Sequence, residues 1–247
     1  PGPMRCPGAA RYAPRAGPEP VHGAVEALAA RMFPPGVAVA ACPVEPSRTP
    51  DWPVEAAGVA LAVPRRRAEF AAGRLAARAA MARLGMPAMP IPMGADRAPV
   101  WPEGLAGSIT HTGGLALAAV AMRREVRSIG IDAEPDEAMP GAVTDVICRA
   151  AERRWCAGQA DPARAARAIF VAKEAVYKAQ FPLSRTVFGF EVIEIAVSPD
   201  GNRFEARFVT PVAPFGQGTV VSGHLCRAAG MVLAAVTLRS RSEDGGG

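Results

Sequence analysis

The chain has 247 residues, half of them hydrophobic, 6% aromatic and 21% charged, with a formal net charge of +5. That length allows one domain of two lobes or two small domains, and the composition is that of a globular protein. The longest apolar run, "GGLALAAVAM" at 113–122, is about ten residues where a membrane helix needs roughly 20, and five cysteines without C-x-x-C spacing support neither a disulfide framework nor a zinc ribbon.

In chain order, residues 1–20 are rich in Pro, Gly and Arg, lack the apolar core and cleavage site of a signal peptide, and are expected to be disordered. An amino-terminal lobe is expected over 21–125. It opens with a helix from Val21 whose Val25, Leu28, Ala29 and Met32 form one stripe, stopped by Pro34 and Pro35. Strands are expected at 37–42 and 57–63, then a long helix, "RRRAEFAAGRLAARAAMARLG", ending at Gly85. Five prolines make 86–104 a connecting loop. Three strands follow around "GSIT", "LALAAVAM" and "SIGIDAE".

A carboxy-terminal lobe is expected over 126–240. Residues 136–160 read as irregular, with Pro140 and Gly141 as breakers and a short helix in "AAERRWCA". A helix over 163–181 is expected to end before Pro182, and strands at 189–197, 203–210, 218–226 and 230–238 suggest an antiparallel meander. Residues 241–247 read as a flexible tail.

Two segments carry acids. In "IGIDAEP" the strand period sends Ile129, Ile131 and Ala133 to one face and Gly130, Asp132 and Glu134 to the other, so two like charges stand side by side and call for a proton or a cation. In "FVAKEAVYKAQFP", helical steps place Phe170, Glu174, Tyr177, Lys178 and Phe181 within about 100° of arc. Asp132, Glu134 and Glu174 offer hard oxygen ligands with no His or Cys companion, which suits Mg²⁺ or Mn²⁺ rather than zinc, and such an ion commonly completes its shell with substrate phosphates.

The charge points to an anionic partner. Among the arginines of the long helix, Arg67, Arg74 and Arg78 fall within about 100° of each other. In "GSITHTGG", His111 sits in a turn after a strand between Thr110 and Thr112, where imidazole, hydroxyls and backbone N–H groups can meet a phosphate. A different magnesium phosphotransferase or nucleotide hydrolase keeps the carboxylates, but the chain has no G-x-x-x-x-G-K-[ST] loop. A basic nucleic-acid binder is disfavoured by the low aromatic content and the lack of a binding motif.

"GIDAE", "FVAKEAVYKAQFP" and "SITHTGG" together resemble the 4′-phosphopantetheinyl transferases, whose helix motif W/F-x-x-K-E-A-x-x-K is met by Phe170, Lys173, Glu174, Ala175 and Lys178. "RRRAEFAAGRLAAR", "VWPEGLAGSITH" and "FPLSRTVFGFEVIEI" resemble the branch of enterobactin synthetase component D. The resemblance implies an α+β fold of two similar α/β lobes in pseudo-twofold arrangement, with coenzyme A and magnesium between them. It puts Asp132, Glu134 and Glu174 on the metal and Arg67, Arg74, Arg97, His111, Thr110, Thr112, Lys173 and Lys178 near coenzyme A. It makes Glu174 the candidate base and Lys178 the residue that stabilises the departing phosphate. The implied partners are acyl or peptidyl carrier proteins in polyketide, peptide or siderophore synthesis. A monomeric cytoplasmic enzyme with no nucleic-acid or membrane partner is expected.

Overall fold

A computed structural model describes residues 18–239; the segments read as a disordered amino end and a flexible tail lie largely or wholly outside the described residues. Helix α1 (Pro18–Arg31) buries Val25 and Ala29 and leads to β1 (Val37–Pro43). Two further strands, β2 (Leu105–Thr112) and β3 (Leu115–Met122), complete a three-stranded antiparallel sheet of order β1-β3-β2. The turn between them uses Gly113 and Gly114, both at positive φ, a conformation that glycine adopts without a Cβ clash. Helix α3 (Pro64–Arg83) covers one face of this sheet, with Pro64 preset at its first turn.

The second sheet is antiparallel, five-stranded and larger, in the order β4-β8-β7-β6-β5. It contains β4 (Val126–Pro135), β5 (Ile193–Val197), β6 (Arg203–Phe208), β7 (Val220–Ala228) and β8 (Met231–Arg239). Helices α4 (Gly141–Ile147), α5 (Ala150–Ala157) and α6 (Pro162–Ser184) follow β4 in the chain, and α6 packs across the sheet. Each half therefore stacks one long helix on an antiparallel sheet, a mixed α and β architecture. A single apolar cluster runs from α1 through Leu117 and Ala119 of β3 to Ile129, Ile131 and Leu233 of β4 and β8, joining the two sheets.

Four sequence expectations change. Residues 57–63 are not a strand: α2 (Pro53–Ala57) is followed by turns, because Glu55 is drawn inward by Arg78 while Leu61 and Val63 find no face to bury and stay exposed. The irregular 136–160 contains α4 as well as α5, with Pro140 at the amino-terminal boundary of α4 and Gly141 as its first residue. Helix α6 runs through Pro182. A proline there forfeits only its own bond to the carbonyl four residues back, and the Arg185 N–H still reaches Phe181 O at 2.9 Å, closing the helix with Arg185 in the left-handed region. The first strand of the meander is also shorter than expected, because Phe190–Val192 form a 3-10 turn.

Gly130 decides how closely α6 approaches β4. A Cβ at Gly130 would lie 1.8 Å from the Ala175 carbonyl oxygen and 2.9 Å from the Ala179 backbone nitrogen, so the helix backbone rests directly on the strand. Gly130→Ala is expected to push α6 off the sheet and to cost about 1–3 kcal/mol or more, read as a lower midpoint in chemical denaturation. An unchanged midpoint would show that the helix tolerates the shift.

Candidate active site

The contact at Gly130 brings the face of α6 that carries Lys178 against the next residue pair of β4. Lys178 Nζ donates to Asp132 Oδ1 at 2.7 Å and to Ile131 O at 3.2 Å. Thr110 Oγ1, from β2 of the other sheet, donates to the same Asp132 Oδ1 at 2.9 Å, and Ile131 N donates to Ser108 Oγ at 3.1 Å. Asp132 is therefore the point where both lobes meet. It is buried, and its Oδ2 is shielded from solvent with no hydrogen-bond partner.

Above it opens a cavity of about 540 Å³, within the range of small-ligand sites. Arg66, Arg74, Arg97, Arg123, Arg185 and Lys178 supply its positive lining; Trp101, Tyr177 and Phe181 supply flat apolar walls. Arg74 is buried, lies 3.8 Å over the Phe70 ring and donates through Nε to Ile91 O at 2.8 Å. Its burial lowers its pKa to about 10, so it still carries its charge at neutral pH. The His111 ring lies 2.5 Å from Arg66 through Nε2 and 3.6 Å from Glu69 through Nδ1. Because a guanidinium can only donate, Nε2 must accept and the proton sits on Nδ1, toward Glu69. Burial lowers the pKa of His111, which keeps this neutral tautomer.

The carboxylates are crowded. Burial raises the pKa of Glu134, with the Asp132 charge adding to it, and does the same to Glu174. Among the described residues, no three His, Cys, Asp or Glu side chains stand in position to close on one ion as they are oriented. The donor set nevertheless fits a hard divalent cation: three oxygen-bearing acids that repel one another, one of them with a bare buried oxygen.

Not every expected residue reaches the cavity. Thr110, His111, Arg74, Arg97, Asp132, Glu134 and Lys178 line it. Arg67 does not; its guanidinium donates to Ala62 O at 3.0 Å, and Arg66 takes the inward position. Thr112 is absent from the lining. Glu174 lines a smaller neighbouring cavity of about 130 Å³ with Phe188 and Phe190, divided from the first by Tyr177, which lines both. Lys173 turns into the protein, where it pairs with Glu152 at 2.8 Å and donates to the carbonyls of Ile147 and Phe190 at 2.8 Å each. Arg66, one of the arginines that open the long helix but outside the Arg67, Arg74 and Arg78 stripe, had a signal: it shares a helical phase with Phe70, Gly73 and Arg74, which all face the cavity. Arg123 lies outside any motif and had none, while Arg185 lies within "FPLSRTVFGFEVIEI" but nothing in that stretch marked it as a cavity residue.

Comparison with known proteins decides the family. The "4'-phosphopantetheinyl transferase N-terminal domain" matches residues 55–121, and the "4'-phosphopantetheinyl transferase superfamily" matches 128–220. The chain is 44% identical over 175 residues to the 4'-phosphopantetheinyl transferase Svp of Streptomyces mobaraensis, covering 70% of this chain and 69% of that one. It is 39% identical over 206 residues to the transferase PptT of Mycobacterium tuberculosis, covering 78% and 88%. The chain belongs to the 4′-phosphopantetheinyl transferase superfamily. It also shares 37% identity over 134 residues with the enterobactin synthase component D of Salmonella typhi, 53% of this chain and 55% of that one. As a phosphopantetheinyl transferase, the chain moves the 4′-phosphopantetheine arm of coenzyme A to a serine of an apo carrier protein, releasing adenosine 3′,5′-bisphosphate. No helix among the described residues is long and apolar enough to cross a membrane. Cys42, Cys148, Cys156 and Cys226 are free thiols.

Proposed function

We propose that the arginine-lined cavity holds the nucleotide and pyrophosphate of coenzyme A, with Asp132, Glu134 and Glu174 as the acids that hold a magnesium ion beside it. The observation that carries this reading is Asp132, buried at the junction of both lobes with one oxygen held by Lys178 and Thr110 and the other bare. Bound magnesium would polarise the pyrophosphate and offset charge gathering on its oxygens. Manganese fits the same oxygen donors.

In this reading Arg66, Arg74, Arg97 and neutral His111 bind and orient the phosphates, and Trp101 and Tyr177 exclude water from the cleft. The carrier serine oxygen attacks the phosphorus that bears the pantetheine arm. The bond from that phosphorus to the bridging oxygen breaks, adenosine 3′,5′-bisphosphate leaves with the bond's electron pair, and the serine proton passes to a base. Glu174 is the candidate base for that proton, directly or through a water on the metal. Lys178, already charged against Asp132, stabilises the departing phosphate.

Arg67, Thr112 and Lys173 are left out of the cofactor contacts, for the geometric reasons above. The two lobes form the cleft within one chain, which supports a monomer, and unpaired cysteines support a cytoplasmic setting. The test is direct: incubate the protein with coenzyme A, magnesium and apo carrier proteins of several pathways and weigh the carriers. A gain of one phosphopantetheine arm is expected, and is expected to vanish with chelator. Carriers unchanged in mass throughout would contradict the reading.

A second expectation concerns the ion alone. If three crowded carboxylates form its site, added magnesium relieves their repulsion and raises the thermal midpoint of the protein, whereas sodium at equal ionic strength does not. An equal response to both salts would argue against a divalent site.

A further inference from the structure

The loop from 86 to 104 reaches the cavity through a short tongue, residues 92–100. The tongue is closed on itself by Val100 N to Pro92 O, Gly94 N to Ala98 O and Arg97 N to Gly94 O, each at 2.9 Å. Its tip carries Asp96 and Arg97 to the cavity, with Arg97 held at φ +67° and Asp96 touching Arg185 of the other lobe at 3.1 Å. That surface ion pair is worth little by itself. What fixes the tongue lies at its root.

Ile91, wholly buried, is gripped at both backbone groups. Its N–H donates to Glu55 Oε1 at 2.8 Å and its carbonyl accepts from Arg74 Nε at 2.8 Å. Glu55 Oε1 also accepts from Arg78 Nη1 at 2.8 Å, and Arg78 Nη2 reaches Asp51 at 2.5 Å. Arg78 thus points away from the cavity, although Arg74, one helical turn earlier, faces it. Glu55 is completely buried and its Oε2 has no partner. A buried carboxylate with a bare oxygen carries a desolvation cost that an apolar side chain would avoid, so its place is better explained by what it holds than by stability.

We propose that Glu55, braced by Arg78, is a positioning residue for coenzyme A: it sets the root of the 92–100 tongue so that Arg97 and Arg74 converge on the phosphates. Neither Glu55 nor Arg78 lines the cavity, so the effect passes through Ile91. The inference rests on the coenzyme A reading above and adds a residue set to it.

The experiment compares wild type with Glu55→Gln, which keeps one oxygen that can accept from both the Ile91 N–H and Arg78 but removes the charge that braces Arg78. Calorimetric binding of adenosine 3′,5′-bisphosphate and steady-state kinetics are both measured. The expected result is a rise of about tenfold in the bisphosphate Kd and in KM for coenzyme A, with kcat and carrier KM within about twofold, the pattern of lost ground-state binding. Exchange of the Ile91 and Val100 amides should quicken in the same variant. If Glu55→Gln does not fold, Arg78→Lys decides, since it keeps the charge but cannot fork to Glu55 and Asp51 together; the same shift, smaller, is expected. A folded variant with unchanged bisphosphate Kd would overturn the inference, as would equal losses in kcat and in both KM values. Wild type that binds neither coenzyme A nor the bisphosphate would instead bring down the functional reading itself, and the inference with it.

Discussion

Asp132→Asn is expected to lower turnover by about a thousandfold or more while leaving the fold intact, the scale of losing a charged group that organises a metal and a phosphoryl transition state. The asparagine preserves an oxygen acceptor for the Thr110 hydroxyl, so the seam between the lobes stays closed. What it removes is the charge that answers Lys178 and the bare Oδ2. Losing the buried charge relieves desolvation and offsets part of the weakened lysine pair, while the amide N–H₂ takes the unpartnered position of Oδ2. The thermal midpoint should therefore shift by only a few degrees, and the response to magnesium should disappear. Turnover within tenfold of wild type would remove Asp132 from the chemistry.

The second large effect is on stability and separates two lysines that the helix motif treats alike. Lys173 and Glu152 are both buried, and Glu152 also accepts from Ile195 N at 2.7 Å and Arg149 N at 2.6 Å, tying α5, α6 and β5 together. Burial lowers the pKa of Lys173, opposed by the Glu152 charge. Lys173→Met leaves Glu152 charged and unpaired and is expected to cost about 3–5 kcal/mol, a large part of a domain's stability. The double variant with Glu152→Gln should recover part of the loss, because no lone charge remains and the amide oxygen still accepts from one of the two backbone N–H groups. Urea denaturation measures both. A stable Lys173→Met protein with weakened coenzyme A binding would return Lys173 to the cofactor contacts and contradict its structural role.

These two residues also show how far the sequence could be read. The alternation in "IGIDAE" put Gly130, Asp132 and Glu134 on one face, and the structure uses that face for α6. What the pattern could not convey was the reason for the glycine, since the 1.8 Å approach of Ala175 O is a contact between segments distant in sequence. Helix α6 was legible as a helix, but not which charges faced where: half of its buried residues are alanine, and alanine on several faces leaves the phase of a helix undetermined. The same ambiguity in α3 led to Arg67 in place of Arg66. Apolar "GVALAV" read as a strand by propensity, and the burial of Glu55 in the preceding turn of helix overrode it. Arg123, just after β3, and Arg185, just after α6, line one cavity although they are far apart in the chain, which no local pattern announces.

In the proposed mechanism Asp132 would hold a divalent cation beside the pyrophosphate of coenzyme A. Phosphorus NMR of coenzyme A bound to the protein, with paramagnetic manganese added in small amounts, tests it most directly. The two pyrophosphate resonances are expected to broaden strongly in wild type, more than the 3′-phosphate, and to stay narrow in Asp132→Asn at the same occupancy of coenzyme A. Equal broadening in both proteins would place the ion elsewhere and contradict the account.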